Sequence, residues 1–310
     1  MVNVLVCPGQ GSQKVGMGRE LAQQFAAARQ VFERVDAALG ESLSRLMWEG
    51  PEEELTLTHN AQPAILAHSV AALAAAGNAI EPVAMAAGHS LGEYSAYVAA
   101  GSLSVEDAAK LVRRRGELMF DAGQARPGAM AAVLGLATAE VATACSEASD
   151  DTGIAVAANQ NAPDQTVISG DPEAVERAGA RCKEMGAKRV IPLKVSGAFH
   201  SPLMEPAVPG LAAALEATPF ADPRVPVVAN ATATPVRTAA EARARLVEQL
   251  TAPVRWVASV ETLSREVAGA RFVEAGPGAV LAGLVRRIVP GVEAITLGSP
   301  EDVARLVEHG

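Results

Sequence analysis

The pentapeptide Gly88-His89-Ser90-Leu91-Gly92 constrains this chain more than any other segment. It follows a short apolar run, Val83–Ala87, that is typical of a buried strand, and it precedes residues with helical spacing. A serine flanked by small residues at such a strand-to-helix turn can occupy the strained bend of a nucleophile elbow. The pattern predicts that Ser90 Oγ is exposed at a helix N-terminus and that the amide of Leu91 faces a developing oxyanion. A chance match is the alternative, which the flanking strand and helix disfavour.

The order of predicted elements indicates an α/β fold. The chain has 310 residues, more than one hydrophobic core usually supports. Strands alternate with helices in the first and last thirds, as in a parallel sheet covered on both faces. The middle third follows the order βαββαβ, the ferredoxin-like pattern. We therefore predict a large domain from residues 1–125 and 197–310, interrupted by a small inserted domain over residues 126–196. The turn-rich segment Asp121–Gly128 is the predicted linker.

Charge and cysteine content exclude several classes of function. A net charge of −9 argues against nucleic-acid binding and gives no attraction to anionic membranes. Three widely spaced cysteines predict neither a disulfide scaffold nor a cysteine-rich zinc site, so no metal is expected. The N-terminal residues Met1–Val6 indicate a strand and not a secretion signal, and the apolar stretch Ile65–Ala87 is too interrupted to span a bilayer. We expect a cytoplasmic protein.

A nucleophilic serine needs a base, and histidine is the usual one. Of the five histidines, His200 lies where the inserted domain returns to the large one, and sites are common at domain junctions. Position alone favours His200 only modestly over His59, His68 and His89. Too many acidic residues separate Ser90 from His200 for one to be chosen as a third catalytic member.

Two further segments are unusual. The loop Pro8–Gln13 follows the first strand but lacks the third glycine of the dinucleotide fingerprint, whose position is Lys14. It is better interpreted as a tight loop that presents main-chain and amide donors. The run Arg113-Arg114-Arg115 lies on a predicted helix, where residues 100° apart cannot all face one pocket. One or two of these arginines must therefore be solvated.

Short motifs occur in order along nearly the whole chain. They are Gly9-Gln10-Gly11-Ser12-Gln13, Asn60-Ala61-Gln62-Pro63-Ala64, Gly88-His89-Ser90-Leu91-Gly92-Glu93, Arg115-Gly116, Asn159-Gln160-Asn161-Ala162-Pro163, Gly197-Ala198-Phe199-His200 and Gly276-Pro277-Gly278. Together they resemble the malonyl-CoA:acyl-carrier-protein transacylases and the related acyltransferase domains of fatty acid and polyketide synthases. The resemblance implies an α/β-hydrolase-like large domain with a ferredoxin-like insertion.

The resemblance also implies roles for individual residues. Ser90 would be the acylated nucleophile, supported by the flanking Gly88 and Gly92, and His200 its general base and acid. A main-chain carbonyl, which by position comes from residues 251–253 around Ala252, would orient the imidazole, so no acidic third member is required.

Substrate contacts follow from the same resemblance. The amides of Gln10 and Leu91 would form the oxyanion hole, and Arg115 would bind the free malonyl carboxylate. Gln62 would line that end of the pocket. Phe199 would crowd a C2-methyl branch, so malonyl is expected over methylmalonyl.

The implied reaction is a ping-pong transfer from malonyl-CoA to the phosphopantetheine thiol of holo acyl carrier protein. CoA enters as a substrate, and no cofactor is expected. Because acyl carrier proteins are acidic, we expect them to dock on basic residues of the small domain: Lys183, Lys188, Arg189 and Lys194. The alternatives are a stand-alone acyltransferase of a polyketide synthase, a serine thioesterase and a non-catalytic binding protein.

Overall fold

The computed structural model describes residues 1–309, which form two β-sheets and the helices packed on them. The strands are β1 (Asn3–Cys7), β2 (Val83–Gly88), β3 (Ala129–Leu134), β4 (Ala155–Ala162), β5 (Gln165–Gly170), β6 (Arg189–Pro192), β7 (Val227–Val228), β8 (Pro235–Val236), β9 (Arg271–Ala275) and β10 (Ala294–Leu297). The α-helices are α1 (Arg19–Gln24), α2 (Ala26–Leu39), α3 (Leu43–Glu49), α4 (Glu52–Thr56), α5 (Thr58–Ala76), α6 (Gly92–Ala99), α7 (Val105–Ala125), α8 (Thr138–Ala148), α9 (Pro172–Glu184), α10 (Val208–Ala217), α11 (Ala239–Glu248), α12 (Trp256–Glu266), α13 (Val280–Ile288) and α14 (Pro300–His309). Two 3₁₀ segments cover Gly77–Ile80 and Pro202–Ala207.

The larger sheet confirms the α/β class. Its strand order is β10-β9-β1-β2-β7-β8, and all neighbours are parallel except β7 and β8. The predicted wholly parallel sheet is therefore wrong by one strand, because β8 has only two residues and leaves no apolar pattern. Cys7 pairs with Gly88, so the loops that follow β1 and β2 meet at the carboxyl edge of the sheet. Open α/β sheets bind ligands at this edge.

The smaller sheet is antiparallel, with strand order β4-β5-β3-β6. Helices α8 and α9 cover one of its faces and enclose a separate apolar core that includes the buried Cys145 and Cys182. The elements β3, α8, β4, β5, α9 and β6 follow one another along the chain in the predicted order.

The segment predicted as a linker is partly helical, because α7 continues to Ala125. Gly123, which suggested a turn, instead allows close packing. A Cβ at Gly123 would lie 2.0 Å from the carbonyl oxygen of Ser196, where the chain leaves the smaller sheet. Close backbone approach, and not a turn, explains this glycine.

Other element boundaries also differ from the predictions. The helix predicted over residues 18–38 is divided into α1 and α2 by the extended Phe25. The helix predicted from Glu205 begins as a 3₁₀ segment, and α10 starts only at Val208, since Pro206 and Pro209 fit only in a first turn. Helices α3, α4 and α14 were not predicted.

Helix α5 passes through the centre of the larger core. Within residues 1–309, the segment Thr58–Ile80 is the one helical stretch long and apolar enough to cross a bilayer. It packs against α2 and α7, and most of its apolar window is buried. Apolar residues on all sides of a helix are typical of a helix in a protein interior.

Candidate active site

Ser90 lies at the sharp turn between β2 and α6. Its φ is 52°, in the left-handed region that non-glycine residues rarely adopt. A Cβ at Gly88 would lie 1.8 Å from the carbonyl carbon of Gly92, and a Cβ at Gly92 would lie 2.1 Å from the carbonyl oxygen of Cys7. Both glycines are therefore required for β1, β2 and α6 to approach this closely. The strained turn predicted from the sequence is present, and such strain is characteristic of functional sites.

Ser90 and His200 form a hydrogen-bonded pair, with 2.7 Å between Ser90 Oγ and His200 Nε2. The other ring nitrogen, Nδ1, lies 3.0 Å from the carbonyl oxygen of Gln249. Since a carbonyl only accepts, Nδ1 carries the proton and Nε2 is free to accept the proton of Ser90. Of the histidines whose side chains the structure describes, His200 alone contacts Ser90.

The prediction placed the carbonyl that orients His200 within residues 251–253, around Ala252, and the main hydrogen bond lies just outside that segment. The hydrogen bond goes to Gln249, three residues earlier. Helix α11 ends at Glu248, and carbonyls at the end of a helix lack intrahelical partners, so that of Gln249 is available. The Ala252 carbonyl makes a weaker contribution to the imidazole, and the amide of Ala252 donates to Glu248.

Arg115 extends from α7 towards Ser90 and is 1% exposed. Its guanidinium donates to Gln62 Oε1 at 2.8 Å, Gln249 Oε1 at 2.9 Å and Ser90 Oγ at 3.1 Å. It also lies 5.7 Å from the ring centroid of Tyr94. Within the described residues no carboxylate forms an ion pair with it. The site therefore holds a buried positive charge whose partners are neutral oxygens, which suits an anionic ligand.

The neighbouring arginines turn away, as the helical spacing predicted. Arg113 pairs with Asn60 and Glu41, and the exposed Arg114 pairs with Glu117. Only Arg115 of the three reaches the site.

Burial lowers the pKa of His200 to about 3, and the nearby positive charge of Arg115 adds to this effect. Both factors disfavour an imidazolium ion, whereas the hydrogen bond to Gln249 partly offsets them. His200 is therefore a neutral imidazole, the form that accepts a proton, throughout the physiological pH range.

Two residues that hold the elbow were missed by the sequence analysis. Asn230 follows β7; its Oδ1 accepts the Ser90 N–H at 2.7 Å, and its Nδ2 donates to the Gly88 carbonyl at 2.6 Å. Gln249 Nε2 donates to the Ser90 carbonyl at 3.0 Å. These contacts join residues about 140 and 160 positions apart, so no local pattern could show them. For Asn230 the available signal was a polar residue directly after the apolar run Val227-Val228-Ala229.

A cavity of about 340 Å³ lies between the two sheets and reaches Ser90 and His200. Its walls come from strands of the smaller sheet, from α7 and from the loops after β1 and β2, and they include Gln10, Met119, Met130, Asn161, Val167, Lys194 and Phe199. His89 Nε2 lies 2.8 Å from Asn161 Oδ1, which links the elbow to β4. Gln62 lies behind Arg115 and is fully buried.

The predicted oxyanion donors lie beside this cavity. Within residues 1–309, the main-chain N–H groups of Gln10 and Leu91 donate to no protein acceptor. The side chain of Gln10 donates to Thr58 Oγ1 at 3.3 Å. Two unpartnered amides next to a nucleophile can stabilise an oxyanion. No cluster of histidine, cysteine and carboxylate side chains suited to a metal ion occurs in the described part of the chain.

Comparisons with known proteins give one consistent family. The model of the acyl transferase domain matches residues 4–301. The malonyl CoA-acyl carrier protein transacylases of Bacillus subtilis and Escherichia coli are each 44% identical to this chain, over 97% and 98% of it and over 95% and 98% of their own lengths.

Solved structures agree. An acyl carrier protein S-malonyltransferase from Vibrio cholerae is 42% identical, with a TM-score of 0.94 over 98% of this chain and 99% of that one. A malonyl-transacylase solved in complex with its type II PKS acyl-carrier protein is 41% identical, with a TM-score of 0.95 and full coverage of both chains.

The low pKa of His200 predicts how the reactivity of Ser90 depends on pH. We expect the rate constant for labelling by phenylmethylsulfonyl fluoride, an uncharged serine reagent, to change less than about twofold between pH 7 and pH 5. A histidine with the ordinary pKa of about 6.5 would lose about 25-fold over the same interval, because its neutral form is depleted. Ser90→Ala provides the background rate, and circular dichroism checks that the fold persists at pH 5. A tenfold fall would contradict the assignment of a neutral His200.

Proposed function

This chain belongs to the acyl transferase domain family, and from that premise we propose that it transfers malonyl from malonyl-CoA to the phosphopantetheine thiol of acyl carrier protein. The observation that carries the proposal is the buried guanidinium of Arg115, 3.1 Å from the Ser90 hydroxyl and without a carboxylate partner among the described residues. A nucleophile next to an unpaired buried cation selects an acyl group that carries its own carboxylate.

In the first half-reaction Ser90 Oγ attacks the thioester carbonyl while its proton passes to His200 Nε2. The amides of Gln10 and Leu91 hold the oxyanion of the tetrahedral intermediate. The C–S bond then breaks, the CoA sulfur takes the proton from His200, and a malonyl-serine ester remains. Gln249 holds the imidazole in the required tautomer throughout.

The second half-reaction reverses these steps with a different thiol. The carrier's phosphopantetheine thiol gives its proton to His200 and attacks the ester. Ser90 Oγ leaves and recovers the proton, so the enzyme returns to its starting state. One histidine therefore serves as base and acid in both directions.

Arg115 binds the malonyl carboxylate through paired N–H donors. Gln62 and Gln249 fix the guanidinium from behind, so that it loses little freedom when substrate binds. Phe199 lines the acyl pocket and leaves little room for a C2-methyl branch, which favours malonyl over methylmalonyl.

The proposal includes the finer architecture. Residues 1–125 and 197–310 form an α/β-hydrolase-like catalytic domain, and residues 126–196 form a ferredoxin-like insertion. The strand order β4-β5-β3-β6 with two helices on one face supports the second assignment. The enzyme works in the cytoplasm and uses no cofactor, since thioester exchange through a serine ester requires no redox or metal chemistry.

We assign carrier docking to a basic patch on the smaller sheet. Lys183, Lys188, Arg189 and Lys194 are all exposed, and β6, which carries Arg189, is an edge strand. Lys194 also lines the cavity that leads to Ser90. A carrier held there could extend its phosphopantetheine arm into the cavity, and an acidic protein fits a basic patch.

A carrier from polyketide synthesis is the second candidate. The likeness to a malonyl-transacylase solved with its type II PKS acyl-carrier protein favours it. Transfer rates to fatty-acid and polyketide carriers, measured side by side, distinguish the two pathways. A thioesterase shares the serine and histidine but gives no use for Arg115.

Intact mass spectrometry tests the proposed function directly. Mixing with malonyl-CoA should add one malonyl group, which holo carrier protein then removes. Ser90→Ala should gain nothing. Rapid release of free malonate without a thiol acceptor would identify a thioesterase, and the absence of any adduct would refute catalysis through Ser90.

Replacing Arg115 should change selectivity and not simply abolish activity. Arg115→Ala is expected to slow malonyl transfer on the order of 100-fold, because the carboxylate loses its charged hydrogen bonds, while acetyl transfer is kept or increased. Arg114→Ala is the matched control, since Arg114 lies on the same helix but is exposed and paired with Glu117. Acylation rates with malonyl-CoA and acetyl-CoA give the ratio. An unchanged malonyl rate would remove Arg115 from the acyl site.

Reversing the charge of the basic patch should separate the two half-reactions. The double variant Lys188→Glu/Arg189→Glu is expected to raise the KM for carrier protein while acylation by malonyl-CoA continues at the normal rate. Arg45→Glu, an exposed charge reversal on α3 outside the patch, is the control. Normal kinetics in both half-reactions would place docking elsewhere.

A further inference from the structure

Glu93 is a buried carboxyl group to which the reaction sequence above gives no role. It lies in the first turn of α6, three residues after Ser90, and is 0% exposed. Its Oε2 accepts the main-chain N–H of Asn230 at 2.9 Å and Gln249 Nε2 at 2.8 Å. Its Oε1 has no hydrogen-bond partner in the described part of the chain. One oxygen therefore joins two distant segments of the chain.

The first of these segments holds the serine. Asn230, fixed by Glu93 at its main-chain nitrogen, directs its side chain to the elbow. That side chain accepts from the Ser90 N–H at 2.7 Å and donates to the Gly88 carbonyl at 2.6 Å. The strained backbone on both sides of the nucleophile thus depends on where Asn230 is placed.

The second segment holds the other reacting groups. Gln249 Nε2, fixed by Glu93, leaves Gln249 Oε1 facing Arg115 at 2.9 Å. The main-chain carbonyl of the same residue accepts from His200 at 3.0 Å. Since Gln249 follows the last residue of α11, its side-chain contact with Glu93 also restrains its carbonyl.

We propose that Glu93 is a positioning residue whose single oxygen, by accepting from Asn230 and Gln249, aligns the Ser90 elbow, the His200 ring and the Arg115 guanidinium with one another. The part that concerns Arg115 rests on the proposed function, whereas the alignment of Ser90 with His200 does not. Glu93 touches no reacting atom, so its effect passes entirely through the two amide residues.

The hydrogen-bond acceptor, and not the negative charge, is the feature that matters. Burial raises the pKa of Glu93 to about 7. The hydrogen bonds from Asn230 and Gln249 and the positive charge of Arg115 oppose this rise, whereas the carboxylate of Glu248 on α11 adds to it. The phenols of Tyr94 and Tyr97 on the same helix are neutral, because burial raises the pKa of each. Near pH 7 a proton resides part of the time on Glu93, and Oε1 can carry it without disturbing Oε2.

A purely structural role is a poor explanation for this residue. A buried ionisable group costs free energy, which in Glu93 is offset through the donors of Asn230 and Gln249. Glu93 lies next to Ser90, and its bonded partners contact Ser90, His200 and Arg115. Such an arrangement is expected where small displacements are costly to the rate, since an error of about 1 Å can cost about 100-fold.

Three substitutions distinguish geometry from charge. Glu93→Gln keeps an acceptor oxygen at the same reach and removes the charge. Glu93→Asp keeps the charge but withdraws the oxygens by one methylene. Glu93→Ala removes the acceptor and leaves the donors of Asn230 and Gln249 unpaired. The readouts are labelling of Ser90 by phenylmethylsulfonyl fluoride and acylation by malonyl-CoA, each expressed per folded molecule.

We expect Glu93→Gln to retain both rates within about threefold, Glu93→Asp to lose at least about tenfold and Glu93→Ala at least about 100-fold. Glu274→Ala is the matched control. Glu274 is also a fully buried carboxyl with one bonded and one unpartnered oxygen, but it contacts α13 and not the site. The control should be destabilised with normal rates per folded molecule.

The outcomes separate the competing explanations. Equal losses in Glu93→Gln and Glu93→Ala, or a better rate in Glu93→Asp than in Glu93→Gln, would show that charge matters and overturn the proposal. Full rates in Glu93→Ala would overturn it as well. If Glu93→Ala does not fold, the order of the Gln and Asp variants decides. If the unmodified protein is labelled by the sulfonyl fluoride but never acylated by malonyl-CoA, the proposed function fails while the Ser90 labelling still tests Glu93.

Discussion

The buried guanidinium of Arg115 is the constraint on which the rest of the site depends. A guanidinium cannot be neutralised in a protein, so its charge must be stabilised by its surroundings. Its direct contacts in the described residues are neutral oxygens from Gln62, Gln249 and Ser90 and the face of Tyr94, while the carboxyl of Glu93 acts on it without an ion pair. This solvation is incomplete compared with a carboxylate partner. A ligand with its own carboxylate completes the solvation of the guanidinium. Because burying Arg115 without such a ligand costs free energy, the site favours dicarboxylic acyl groups.

The same charge also acts on the base. Burial opposes protonation of His200 most strongly, and Arg115 lies close enough to act in the same direction. The imidazole is therefore kept neutral, while the Gln249 carbonyl fixes its tautomer. Gln249 thus contacts Arg115, the anion-binding group, through its side chain and His200, the base, through its main-chain carbonyl. Displacement of Gln249 would therefore misplace Arg115 and His200 together. Full burial among polar partners restrains Gln249 against such a displacement.

The parts of the site that could be predicted are those encoded by neighbouring residues. Gly88 and Gly92 indicate the elbow because the required backbone is local, and the spacing of three consecutive arginines shows that they cannot all face the site. Asn230 and Gln249 could not be found this way, since their contacts with Ser90 are set by tertiary packing. The prediction of residues 251–253 around Ala252 missed Gln249 for a similar reason: the end of α11 decides which carbonyl is free, and helix ends are poorly defined by sequence.

Strand β8 was missed because a strand of two residues is too short to display an alternating pattern of apolar residues.

The position of the cavity between the two sheets bears on why transfer can outcompete hydrolysis. The smaller sheet supplies apolar walls through Met130 and Val167, and α7 supplies Met119 on the side of Arg115. These side chains offer water no hydrogen bonds, so on their side of the cavity a water molecule lacks the polar partners that hold it in place. A thiol on a long arm needs no such partners, because the carrier protein delivers it and His200 takes its proton. Ser90 follows a strand of the larger sheet, whereas His200 lies in the segment that follows the last strand of the smaller sheet. The smaller sheet closes the space around both residues and thereby favours the thiol over water as the acceptor.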